Sequence, residues 1–192
     1  MTKKHRVVLA GSFAALLVLP ALGLQTYAQE IESGYKIAVD KEGSIRVPDV
    51  DYLAKWQFLG TWSSLAEDGK GAADLHNVYA QPGVIEAYRA TGEFPDGAVL
   101  IKDILLTKTQ DMTTGTISHA TKREGWFVMI KDTKGRFKGN PLWGDGWGWA
   151  WFDADAPTKT TTTDYKENCI QCHLPVNSPL TKSLCSDSMT PQ

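Results

Sequence analysis

In the middle of this chain, apolar and polar residues alternate with the period of a strand. The clearest run is "AVLIKDILL", residues 98–106, delivered by the turn Phe94-Pro95-Asp96-Gly97. Alternation puts Ala98, Leu100, Lys102, Ile104 and Leu106 on one face and Asp103 on the other. Residues 61–65 and 75–80 also read as extended, parted by the turn-rich Glu67-Asp68-Gly69-Lys70-Gly71, and further strands are expected at 115–120, 125–131 and 146–152. Helical spacing is seen at Val50, Leu53 and Trp56, which predicts a short helix starting after Pro48 and ending near Gly60. Residues 82–90 predict a second helix, with Pro82 in its first turn and Gly92 just past its end. Residues 30–47 read as a polar lead-in draped over the surface. The pattern is that of an α+β protein: a mainly antiparallel β-sheet with a few helices before it, within it and at its end.

The first 28 residues change the picture of compartment. Lys3, Lys4, His5 and Arg6 precede an apolar stretch over residues 7–24, and Thr26-Tyr27-Ala28 closes it with a small residue. This is the form of a secretory signal peptide at 1–28, with cleavage after Ala28 leaving a single domain at 29–192. The rival reading is an uncleaved anchor, weakened by Gly11, Ser12, Pro20 and Gly23 within the run. Either way the domain is exported. Loss of three basic residues and no acidic ones moves the formal charge from −2 to −5. An acidic surface without basic clusters argues against nucleic acid as a partner.

Chemistry concentrates near the C-terminus, in "ENCIQCH". On a helix Cys169 and Cys172 share a face, with His173 one turn on from Cys169. Two thiols so placed can form thioethers to one porphyrin, and the neighbouring imidazole can ligate its iron. Other readings fit less well. A structural zinc site wants four ligands, and only Cys185, His76 and His119 remain as donors, none in a paired spacing. A thioredoxin-type dithiol belongs in a parallel βαβ unit, and a plain disulfide leaves His173 unexplained. In an exported protein the spacing is that of haem c attachment. The one methionine downstream, Met189, lies in a tail ending Thr-Pro-Gln, so no strong protein ligand is expected opposite His173 and an open coordination position follows.

Lys102 sits among four apolar neighbours on its strand face, where an amine is costly unless it has a partner or a task. A snorkelling or edge-guarding lysine is the plain alternative. Asp103, on an equally apolar face, shows that charge in this strand need not mean catalysis.

Three segments together, "VYAQPGVIEAYRATGEFPDGAVLIKDI", "GDGWGWAWF" and "DYKENCIQCH", resemble the cytochrome P-460 family over most of the mature chain. The resemblance implies a mostly antiparallel β fold carrying one haem c, held through Cys169 and Cys172, with His173 as iron ligand and a lysine nitrogen, here that of Lys102, bonded to a porphyrin meso carbon. It also implies a periplasmic homodimer that oxidises hydroxylamine, with nitric oxide chemistry leading to nitrous oxide, and passes electrons to an external acceptor such as a soluble cytochrome. The related β-type cytochromes c-prime lack the lysine cross-link and bind gases instead, so a nitric oxide or gas-binding protein is the alternative, ahead of a simple electron carrier.

Where some members of that family carry a distal arginine, this chain has His76, which could donate a hydrogen bond to bound hydroxylamine or act as a base. A strand histidine facing solvent, or packed beside Val78, is the plain alternative. For the family's distal acidic group Asp164 and Asp153 are the candidates, although Asp164 is also placed to cap the final helix. Glu86 reads as solvated. Trp147, Trp149 and Trp151 alternate onto one sheet face, which reads as core or dimer contact. Cys185 is left over, as a tail thiol or a link to another subunit.

Overall fold

The computed structural model describes residues 18–173. Most of the leader, Cys185 and Met189 lie outside the described residues. The element order is α1 (Val18–Ala38), α2 (Tyr52–Lys55), β1 (Gln57–Leu65), β2 (Ala72–Ala80), α3 (Val84–Thr91), β3 (Val99–Met112), β4 (Gly115–Lys131), β5 (Trp143–Gly144), β6 (Trp147–Asp153), α4 (Tyr165–Asn168) and α5 (Ile170–His173). The six strands form one sheet in the order β1-β2-β3-β4-β6-β5, antiparallel at every pairing. The α+β reading holds. Among the described residues no helix is long and apolar enough to cross a membrane.

Alternation in β3 sorts the two faces. Val99, Ile101 and Asp103 face a core shared with Val128, Ile130, Phe152, the α2 residue Tyr52 and Trp56, which follows α2. Ile101, Val128 and Phe152 are fully buried, and each such side chain contributes about 1.5–3 kcal/mol through loss of water contact. On the opposite face the cross-strand register aligns Val78, Lys102, Phe127 and Trp151 in one row, and Leu100, Met129 and Trp149 in the next.

Two expectations are corrected. Residues 30–47 are not draped on the surface: α1 runs to Ala38, buries Ile31 and Ala38, and is followed by the buried Val39 and Ile45, which bridge to each other. Residues 115–131 are one strand, not two. The pairing shifts between Ile104 and Leu105, leaving Glu124 as an extra residue between Arg123 and Gly125. Such a bulge reverses the alternation on one side of it, so Arg123 and Trp126 come onto the Asp103 face. There Arg123 donates two hydrogen bonds to the buried Asp103 carboxylate, Nε to Oδ1 at 2.7 Å and Nη2 to Oδ2 at 2.9 Å. The Tyr52 hydroxyl donates to Asp103 Oδ2 at 3.0 Å and accepts from Trp126 Nε1 at 2.8 Å. Every polar group in this buried set has a partner, as its burial demands. Asp103 is structural, as its face implied.

The helix after Pro82 starts at Val84, and Gly92 closes it in the left-handed conformation at φ 77°, its N–H bonded to the Tyr88 carbonyl at 2.7 Å. The expected helix after Pro48 is shorter than its apolar spacing suggested: it is one turn, ends at Lys55, and gives way to β1 at Gln57.

Candidate functional site

A cavity of about 420 Å³ opens on the Lys102 face of the sheet, between β1–β4, β6 and the C-terminal helical turns. Its walls are mostly apolar, with Leu59, Val78, Leu100, Phe127 and Met129 from the sheet and Phe94 from the turn before β3. Into it come His76, Lys102, Cys169 and His173. His76, Lys102 and the Cys169–His173 segment sit far apart in sequence, and strand register together with the docking of the chain end brings them together.

The C-terminal segment is fixed by aromatic packing. Asp164 accepts a hydrogen bond from Lys166 N at 2.8 Å and caps α4, and Tyr165 N bonds to the Pro141 carbonyl at 2.9 Å. The Tyr165 ring stacks on Trp149 with an interplanar angle of 11°, and the His173 ring meets Trp149 edge-on at 4.8 Å. Gly144 lies beneath Tyr165: a Cβ there would fall 2.1 Å from the phenol oxygen. The helix expected to carry Cys169, Cys172 and His173 is broken. Cys169 ends α4 with φ −127° and ψ −51°, and α5 restarts at Ile170. Cys169 is buried in the wall beside Trp149 and Ile170.

Electrostatics prepare both imidazoles as neutral bases. Burial, and then the Lys102 charge, pull His173 below the ordinary histidine range. The same two causes, in the same order, lower His76, partly opposed by Asp74 and Glu124. Both rings are therefore neutral near pH 7, His173 with a lone pair for a metal and His76 with one for a proton. The Lys102 ammonium lies over the Phe127 ring, 4.4 Å from its centroid, a cation–π contact that orients the amine.

His76 lines the cavity with its side chain 30 % exposed, so it does more than pack beside Val78. Asp164 and Asp153 are not among the lining residues. Asp164 caps α4, and Asp153 accepts from Trp151 Nε1 at 2.8 Å. Trp149 belongs to the cavity, whereas Trp147 packs on Phe94 and Trp151 on Phe127. The sequence reading missed Phe127, Trp62 and Asp74. The first is the cross-strand partner of Lys102, a pairing set by the assembled sheet.

Among the described residues no group of three or more His, Cys, Asp or Glu side chains converges on a metal ion. An apolar, aromatic-walled cavity with one cysteine buried in its wall and a neutral histidine packed edge-on is suited to a haem, whose ring is apolar and whose iron takes an axial imidazole. The residues present fit that group. The fit agrees with the comparisons. No curated protein matches the chain. The model of the Cytochrome P460 family matches residues 51–180, a span that starts just before α2 and includes every residue of the cavity. On that match and this cavity, the chain belongs to the cytochrome P460 family of haem cytochromes.

Proposed function

We propose that the protein is an exported haem c oxidoreductase that oxidises hydroxylamine, with nitric oxide chemistry leading to nitrous oxide. Cys169 and Cys172 would hold the haem by thioethers, His173 would ligate its iron, and Lys102 would bond to the ring edge. When bound, the haem would supply a redox-active iron for the oxidation, and an external one-electron acceptor such as a soluble cytochrome would take up the electrons. The single observation that carries the reading is that Lys102, an amine in a largely apolar wall, opens into the same cavity as His173 and close enough to lower its pKa.

The chain's own residues have definite tasks in this scheme. Phe127 holds the lysine side chain against the wall. Trp149 fixes the plane of His173. His76, neutral and half-buried, accepts a proton from hydroxylamine, while Leu59, Val78 and Phe94 keep bulk water away. Export is supported by the leader, and the α1 residues Ile31, Gly34 and Ala38, which are buried, all follow Ala28. We extend the proposal to a periplasmic homodimer, which N-terminal sequencing and sedimentation would check.

Peptide mass spectrometry of the haem-loaded protein tests the reading. A species joining the segment around Lys102 through haem to the segment with Cys169 and Cys172 is expected, and Lys102→Ala should keep its haem, show an ordinary c-type spectrum and lose most hydroxylamine oxidation. If the peptides separate cleanly and Lys102→Ala turns over as fast as wild type, the protein is the gas binder. That second reading is favoured by one observation: the walls are chiefly hydrocarbon, which suits an uncharged diatomic ligand such as nitric oxide.

A further inference from the structure

Within the mostly apolar wall, one polar path leads from the cavity to the surface. In the β1–β2 register Trp62 faces His76 and Ser64 faces Asp74. His76 Nε2 lies 2.9 Å from Asp74 Oδ1, and the Ser64 hydroxyl donates to the same oxygen at 2.7 Å. His76 lines the cavity, its side chain and that of Asp74 are both partly buried, and Ser64 is exposed. We propose that Asp74 is a positioning residue for His76, holding its imidazole with the proton on Nε2 so that Nδ1 is the base, and that Ser64 ties this pair to solvent. The inference rests on the hydroxylamine reading and deepens it.

The chemistry follows from the donor inventory. An ionised carboxylate only accepts, so the ring nitrogen against it must carry hydrogen, and the lone pair is left on Nδ1. Asp74 Oδ1 then receives two donors, His76 Nε2–H and Ser64 Oγ–H. The charged groups acting on His76 are Asp74 on its own strand, Lys102 on β3 and Glu124 on β4. Lys102 and burial favour the neutral ring, while the two carboxylates favour the imidazolium. During turnover the two-electron oxidation of hydroxylamine releases two protons: Nδ1 takes them one at a time and returns each to water, two equivalents of the external one-electron acceptor take one electron each, and Asp74 holds the imidazolium between transfers.

Two measurements on haem-loaded protein test this. The first is two-bond ¹H–¹⁵N spectroscopy of histidine-labelled protein, reduced and bound to carbon monoxide so that the iron is diamagnetic. The second is the pH profile of hydroxylamine oxidation. Wild type should show His76 protonated on Nε2. Asp74→Asn should mix the two tautomers, lower kcat by about ten- to a hundred-fold with KM little changed, and move the acidic limb to lower pH, because an anion that favours the imidazolium is gone. Asp74→Glu should recover part of the rate, and Ser64→Ala should lose less than Asp74→Asn. Asp74→Asn with wild-type tautomer, rate and pH profile overturns the pair and leaves the substrate assignment standing. A wild type that does not oxidise hydroxylamine but whose His76 tautomer changes in Asp74→Asn supports the pair and overturns the substrate.

Discussion

Arg123→Ala isolates the buried ion pair beneath the cavity. The substitution deletes both hydrogen bonds from the guanidinium to Asp103, whose side chain is 2 % exposed, and leaves the Tyr52 hydroxyl as the partner it retains among those bonds. Breaking a buried pair by removing one partner costs about 3–5 kcal/mol. The Arg123 side chain is itself 33 % exposed, so water can reach part of the vacated space, and the lower end of about 3 kcal/mol is expected. In a protein of this size that corresponds to a fall in Tm of about 6–12 °C. Urea unfolding of the haem-loaded protein reads it directly, with the slope unchanged. The double variant Asp103→Asn/Arg123→Leu removes both charges and keeps an acceptor for Tyr52, and should recover at least half the loss. A loss under about 1 kcal/mol for Arg123→Ala, the size of a surface pair, would refute the claim that the bulge makes this a buried network.

His173→Ala should keep haem on Cys169 and Cys172 yet change its absorption spectrum and abolish oxidation, while Cys169→Ala/Cys172→Ala should release haem into acid acetone. For Asp96, burial pushes the carboxyl upward, but Arg136, Thr133 and Lys134 outweigh it and bring it down to about 2. A depressed acid stabilises the fold above its unfolded pKa and loses that contribution as pH falls through the folded value. Asp96→Asn should therefore cost about 1–2 kcal/mol at pH 7, after allowance for a partly solvated carboxylate, with the difference from wild type fading between about pH 4 and pH 2 in thermal melts. In Gly125→Ala a Cβ would lie 2.1 Å from the Phe152 carbonyl oxygen, backbone that cannot swing aside, and about 1–3 kcal/mol should be lost in denaturant titrations.

The strands bearing Lys102 and Trp149, and the helix before Gly92, were legible because period-2 alternation and a helix-ending glycine act locally. The pairing of α1 with the core was less visible. Ile31, Tyr35 and Ala38 do stand at helical spacing, but a glycine, a lysine and two acids between and beside them dilute the stripe. The bulge at Glu124 could not be read at all, since nothing in residues 115–131 announces that one residue will go unpaired. Beside it, Gly125 admits the close approach of the Phe152 backbone on β6. For the site, the haem motif and Lys102 could be picked out one at a time. Asp74, Phe127 and Trp149 could not, because their roles depend on which strand lies beside which, and that order is a property of the assembled sheet.

Lys102 and Asp103 are neighbours in β3 whose side chains serve opposite faces, one in the cavity wall and the other in the salt-bridged core. Since a strand shows alternate residues to alternate sides, adding or deleting one residue upstream within β3 would turn the carboxylate into the cavity and drive the amine into the core. Neither fault could be repaired without the other. Length variation among natural relatives should therefore be barred from residues 99–105, and tolerated at the exposed hairpin tip beyond the bulge, around residues 112–115, where a change in length moves neither group.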